Sequence, residues 1–482
     1  MRAVLPEHRR EAGEAPEKGE SMLDKSTVEL FERTPVPKAV MKLAAPTVLS
    51  SLVMVFYNLA DTYFVGMLND PIQNAAVTLA APVLLAFNAV NNLFGVGSSS
   101  MMSRALGAKD FKTVSLSSAF GFYSSIIAGI LFSLVCFIFS SPLLSLLGAN
   151  SETAQATWEY MFWTVVMGAA PAILNVVMAY LVRAEGASLH ASIGTMSGCI
   201  LNIILDPIFI MPWGLNMGAG GAGLATFISN CVACLYFFVL LFFKRNRTYV
   251  CINPKMYRFK KYIVTGVCGV GIPASIQNLL NVTGMTVLNN FTSVFGSDAV
   301  AAMGITQKIN MVPMNIAMGL SQGIMPLISY SYASLNVERM KKTLVFSLKI
   351  SVTFLVAMSV CYYVAAAPLT SMFMENESIV AYGTRFLRGF CLGLPFLCVD
   401  FIGVGVYQAC GMGEKSFVFA ILRKIVLEIP ALYILNRLFP LYGLAYAQFA
   451  AELILAVAAV FVLRNIFKKL ERQKKEKIPE YE

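Results

Sequence analysis

The chain has 482 residues, 57% of them hydrophobic and only 13% charged, with a formal net charge of +10. A mean hydropathy of +0.67 excludes a water-soluble globular protein of this length and points to a chain that crosses a membrane repeatedly. The first 37 residues are polar without an apolar stretch, so no signal peptide is expected, and residues 1–24 read as disordered.

A helix crossing the hydrocarbon core needs about 20 apolar residues. Such stretches recur along the chain at 40–68, 74–101, 114–139, 157–182, 190–212 and 219–243, then at 261–292, 298–328, 342–367, 380–408, 415–436 and 443–466. No segment with strand periodicity competes with them. The 37 Lys and Arg test this map. Odd-numbered gaps between helices contain a single one, Arg437, whereas the even gaps hold Arg104, Lys109, Lys112, Arg183, Arg339, Lys341 and Lys415. The gap from Lys244 to Lys261 alone carries seven, and both termini are basic. This alternation predicts twelve transmembrane helices with both termini in the cytoplasm, and it makes the positive charge a topology signal rather than a nucleic-acid surface. Trp158, Trp163 and Trp213 fall at the outer helix ends, as an aromatic belt requires.

Ten cysteines lie mostly within helices, including Cys231-x-x-Cys234, and read as small buried side chains. The two histidines, His8 and His190, argue against a zinc site or a histidine-based catalyst. Gly411-Met-Gly-Glu-Lys-Ser lacks phosphate-loop spacing, so ATP hydrolysis is not expected. No cofactor is indicated.

The two halves repeat. At an offset of 220 to 227 residues, Pro46 matches Pro273, Pro171 matches Pro395, and Arg183-Ala-Glu-Gly186 matches Gln408-Ala-Cys-Gly411. Pro207 matches Pro430, and Gly223-Leu-Ala225 matches Gly443-Leu-Ala445. Six helices per half insert both halves in the same orientation, a parallel repeat of two bundles about a central cavity. The organisation expected is a polar tail 1–37, a first lobe 38–243, a basic linker 244–260, a second lobe 261–467 and a basic tail 468–482.

Carboxylates inside such helices are costly and usually face a partner or a cavity. In Ile200-Leu-Asn202-Ile-Ile-Leu-Asp206-Pro207, the Asn and Asp share a helix face. Pro207 cannot donate a backbone hydrogen bond and frees the Ile203 carbonyl. Asp61, late in helix 1, and Thr226, early in helix 6, fall in the same outer layer. Two carboxylates, an amide oxygen and a hydroxyl form a hard-oxygen set suited to H⁺ or Na⁺. The second half has approximately Leu288, Ile425, Ile429 and Tyr446 at the equivalent positions, so a duplicated scaffold carries the set in one copy only. The alternative is that both Asp cap broken helices or pair with Ser or Thr. In the second half, Lys308, Glu428 and Glu452 share one depth and Asp400 and Arg423 another, which reads as structural ion pairing. Asp400 is in addition a candidate for a second coupling or substrate group.

Twelve helices in two parallel halves, Pro46 fifteen residues before Asp61, and Asn202-x-x-x-Asp206 resemble the multidrug and toxic compound extrusion (MATE) transporters over about residues 35–467. The likeness is nearer the DinF-like bacterial branch, because the acidic residue of helix 7 used by NorM-like members is absent from 261–292. The resemblance implies an all-α integral membrane protein with two lobes in a V around a central cavity. It further implies export of amphipathic, mostly cationic small molecules in exchange for H⁺ or Na⁺ by alternating access. Carried over by position, Asp61, Asn202, Asp206 and Thr226 form the coupling-ion site, Tyr57 is its neighbour, and Pro46 and Pro207 bend their helices. Asn175, Gln277, Asn281 and Asp400 are further candidates for supporting the site or lining the substrate pocket. The expected setting is a bacterial inner membrane, with the lipid bilayer as surroundings, no nucleic-acid partner and a monomeric chain. A flippase for lipid-linked sugars remains an alternative on Lys308, Arg385 and Arg388. An intramembrane enzyme is the other, and the scarcity of histidine disfavours it.

Overall fold

A computed structural model describes residues 27–245, 247–373 and 376–477. Residues 1–26 and 478–482 of the two expected tails, His8 among them, lie outside that description. The described residues form helices and no strands. In chain order the long helices are α1 (Val36–Gly66), α2 (Pro71–Gly107), α3 (Phe111–Ile138), α4 (Ala154–Met161, a π-helical stretch Phe162–Met167, then Ala169–Ala184), α5 (Ser188–Ile210) and α6 (Gly218–Phe243). The second series is α7 (Lys261–Ser293), α8 (Ser297–Ala333), α9 (Val337–Val364), α10 (Glu377–Cys391, then Leu394–Ala409), α11 (Gly413–Ile421, a π-helical stretch Leu422–Glu428, then Ile429–Leu438) and α12 (Gly443–Lys477).

Among the described residues, nine of these are single helices long and apolar enough to span a bilayer, and α4 and α10 are bent pairs that pass together. The twelfth, α11, carries Arg423, Lys424 and Glu428 within its π-helical stretch. The bends repeat the internal duplication. α4 turns by 48° at Gly168 and α10 by 48° next to Gly393, with Pro171 and Pro395 just beyond the breaks, in register with the sequence repeat. α12 runs on through much of the expected basic tail, because Lys, Arg, Glu and Gln are good helix formers and nothing after the apolar stretch breaks the helix.

Polar side chains start the helices. Asp70 accepts from Ile72 N at 2.9 Å, Asp110 from Thr113 N at 3.0 Å and Asn336 from Arg339 N at 3.1 Å, each satisfying a first-turn donor. α1 continues through Pro46. Pro46 removes the donor to the Lys42 carbonyl one turn back, and beside the break Thr47 Oγ1 donates to the Leu43 carbonyl at 2.9 Å.

The two series pack as lobes that meet on the side carrying the described chain ends. On α8, Gly319-x-x-x-Gly323 lets α1 approach closely. A Cβ at Gly319 would sit 3.0 Å from Val48 Cα, and one at Gly323 would sit 2.6 Å from Ala44 Cα. Small residues four apart are the usual means of bringing two membrane helices together. α2 packs on α7, where Ser275 Oγ donates to the Ala89 carbonyl at 2.5 Å, and Ser100 Oγ reaches the Gln408 carbonyl of α10 at 2.5 Å.

Two segments strap this end. Within the expected polar tail, Glu29–Arg33 forms a π-helical turn with Leu30 and Phe31 buried. The Phe31 ring lies 4.9 Å from that of Tyr330, and Tyr330 donates to Glu32 Oε1 at 2.7 Å. The linker between the lobes runs along the first lobe. There buried Glu185 accepts from Thr248 Oγ1 at 2.9 Å and from Tyr249 N at 2.6 Å. Tyr123 donates to the Ile252 carbonyl at 2.7 Å. Burial raises the Glu185 carboxyl from 4.5 to about 7, although the Tyr249 and Thr248 hydrogen bonds oppose the shift.

Candidate functional site: a buried oxygen cluster beside an inter-lobe cavity

α1, α4, α5 and α6 bring a polar cluster together in the first lobe, near the face opposite the described chain ends. Asp61 lies five residues before the end of α1 and Asp206 four before the end of α5. Asp206 is fully buried and Asn202 nearly so. With its amide nitrogen toward Asp206, Asn202 donates to Oδ2 at 2.8 Å; its oxygen then accepts from Thr226 Oγ1 at 3.2 Å and Thr226 N at 3.0 Å. Tyr57 lies beside Thr226, Asp61 and Asp206. Asp61 and Asp206 are close enough to repel. Asp61 Oδ1 is buried without a hydrogen-bond partner, and no Lys or Arg pairs with either carboxylate among the described residues. Carboxyl, amide and hydroxyl oxygens with one acceptor left open are the donor set a proton or a small hard cation takes.

Tyr160 belongs to this cluster and was not evident from the sequence. It is buried and stands beside Asp61, Tyr57 and Asp206. Gly223 makes room for it, since a Cβ there would lie 2.8 Å from the Tyr160 carbonyl. The signal that could have pointed to it is the run of small residues around Gly223, just before Thr226. Asn175 stands one step further out. Its amide donates to Asn230 Oδ1 at 3.3 Å, and Asn230 in turn donates to the Thr226 carbonyl at 2.9 Å.

Between the lobes lies a cavity of about 330 Å³ lined by α1, α2, α4, α5, α7, α8 and α10. Gln277 and Asn281 line it with Asn88, Asn92 and Gln408, and Gln408 donates to Gln277 Oε1 at 3.3 Å. Asp400 does not. It sits in a separate buried network in the second lobe, where Arg423 lies 3.5 Å from Asp400 and 2.6 Å from Glu452. Glu428 is paired with Lys424 at 2.6 Å, one turn earlier on α11. Lys308, placed at that depth by the sequence, is exposed and outside the network. Arg385 and Arg388, which kept the flippase reading open, lie over the rings of Tyr442 at 4.8 Å and Tyr363 at 5.2 Å, and neither lines the cavity.

Two helical lobes closed at one end, a cavity between them and a carboxylate cluster in one lobe define a multi-span membrane transporter. The MatE family model matches this chain twice, over residues 46–208 and again over 273–434, and the chain belongs to that family. It is 35% identical over 436 residues to the multidrug export protein MepA of Staphylococcus aureus strain MRSA252, covering 90% of this chain and 94% of the relative. The MepA of Staphylococcus haemolyticus is 35% identical over 443 residues, covering 91% and 96%. Among solved structures, a MATE family transporter of the MOP superfamily described as outward-facing superposes with a TM-score of 0.88 at 27% identity, covering 93% of this chain and 99% of that one. A MOP superfamily transporter from Pyrococcus furiosus, described by a reversed polarity of its binding pocket, superposes at 0.86 with 26% identity, covering 92% and 99%. The chain is therefore a bacterial membrane efflux transporter and not an enzyme.

Proposed function

We propose that this transporter exports amphipathic, mostly cationic compounds of several kinds in exchange for H⁺ or Na⁺, as a monomer with both termini in the cytoplasm. The observation that carries the exchange is the first-lobe cluster: two adjacent carboxylates, no basic partner among the described residues and an unpartnered buried oxygen on Asp61. Both carboxylates charged in a water-poor site is costly, so uptake of a proton or cation is the neutralising event. In the form described here the lobes meet on the chain-end side, which makes it the form open to the exterior. The ion enters at Asp61 and Asp206 and changes the hydrogen bonding of Tyr57, Asn202 and Thr226. α1 responds at Pro46, where its hydrogen-bond ladder is already interrupted, and substrate is displaced from the cavity. The lobes 38–243 and 261–467 then rock about the linker 244–260, and the ion leaves on the cytoplasmic side.

Transport of a fluorescent cationic dye by proteoliposomes, with Na⁺ and pH gradients imposed separately, tests this. One gradient should drive dye movement and the other should not. Dye movement that neither gradient accelerates would overturn the exchange.

A further inference from the structure

The cavity floor carries a charge that export of cations does not call for. Arg183, in the last turn of α4, is 6% exposed and lines the cavity. Its guanidinium lies over the Tyr180 ring at 5.4 Å, and its Nε has no hydrogen-bond partner. No carboxylate pairs with it among the described residues. Glu185, two residues on, already accepts from Thr248 and Tyr249. Among the described residues no Asp or Glu lines the cavity; its other polar walls are amides and hydroxyls. A guanidinium held away from water without an anion is expensive. Its ring partner is itself held in place, because Tyr180 packs where Gly95 has no side chain; a Cβ there would lie 2.5 Å from Tyr180 Cδ2. Packing does not demand the charge. At the repeat-related position in the second lobe the scaffold carries Gln408, which lines the same cavity.

We propose that Arg183 is an anion subsite on the cavity floor, taking the carboxylate of a zwitterionic amphipathic substrate whose apolar body lies between the lobes. The planar fork of arginine matches a carboxylate with two parallel hydrogen bonds. The amide side chains, both donors and acceptors, accommodate the polar edges of many bodies without selecting one charge. This rests on the reading of the cavity as the substrate path and names the residue that holds the anionic end of a substrate within it.

The test uses the purified full-length protein in detergent, with no gradient and in phosphate-free buffer. Fluorescence polarisation compares rhodamine B, a cationic dye with a free carboxylate, with its ethyl ester, which has the cation alone. Arg183→Gln should lower the affinity for rhodamine B about tenfold, the size of a lost charge-assisted hydrogen bond, and leave the ester within about twofold. Arg183→Lys should fall between. With the unmodified protein, benzoate should displace rhodamine B and leave the ester bound, which needs no variant. Equal effects of Arg183→Gln on the two dyes, or benzoate displacing both or neither, would overturn the subsite. These are equilibrium measurements, so they can fail while gradient-driven exchange succeeds, and the reverse.

Discussion

With its amide nitrogen toward Asp206, the orientation the surrounding donors and acceptors require, Asn202 is joined to Asp206 across one helical turn of α5 by a 2.8 Å hydrogen bond to the carboxylate. The bond fixes the remaining lone pairs of Asp206 and turns the Asn202 oxygen toward Thr226. Asp206→Asn keeps the volume and removes the charge. It should reduce gradient-driven dye export to the rate of empty liposomes, with unchanged amounts of folded protein in the membrane. Asn202→Ala leaves the carboxylate but frees its orientation, and should weaken coupling-ion affinity by about 10- to 100-fold, as losses of orienting partners do. A concentration series of the driving ion reads it, and an unchanged half-saturation would contradict the role.

Gly323 faces Ala44 where the lobes touch, and a side chain there collides with backbone. Gly323→Leu should therefore open the chain-end side of the protein. Spin labels on the chain-end halves of α1 and α8 should report a longer distance than in the parent by pulsed dipolar spectroscopy. Gly269, whose Cβ would meet nothing within 4 Å, is the control, and Gly269→Ala should leave the distance as it is.

In the second lobe, Arg423 pairs with Asp400 and Glu452 out of contact with solvent, and Lys424 pairs with Glu428 beside them. Arg423→Met leaves Asp400 and Glu452 without their partner and should cost about 3–5 kcal/mol of stability, the usual consequence of breaking a buried pair. Glu452→Gln keeps the packing and should be much milder. Thermal unfolding of the purified variants decides the order; equal losses would mean that the network is held by packing rather than charge.

Glu185 gives a pH dependence of known sign. Its carboxyl is raised from 4.5 to about 7 by burial, so the folded protein binds a proton that the unfolded chain has released. The stability it contributes is complete below pH 4.5 and is lost as the pH rises through about 7. Against Glu185→Gln, the parent Tm should fall by on the order of 5 °C between pH 5 and pH 8. Parallel curves for the two proteins would contradict it.

Much of this was legible in advance. The twelve helices and the duplication followed from apolar run lengths, basic gaps and offsets. Tyr160 was missed because nothing about a tyrosine in an outer helix end says which way it points. Glu428 was set at the depth of Lys308, yet its partner is Lys424, one turn away on the same helix. Leu30 and Phe31 sit in a stretch polar enough to read as tail, and are buried only because both lobes offer them a surface.

The amino-acid sequence alone determined where the long apolar helices run and which polar residues interrupt them. Both follow from the local cost of placing polar residues in an apolar span. The tertiary structure alone decided which groups meet: Tyr160 with the carboxylates, Arg183 with an open cavity rather than an acid, and Arg423 with Glu452 at 2.6 Å, although the sequence had set those two at different levels. Lipid and helix neighbours are equally apolar, so a membrane helix carries little amphipathic record of which face turns inward. That rotation is set by packing, at contacts such as Gly323 on Ala44 and Gly223 on Tyr160, where the absence of a side chain lets two backbones come together.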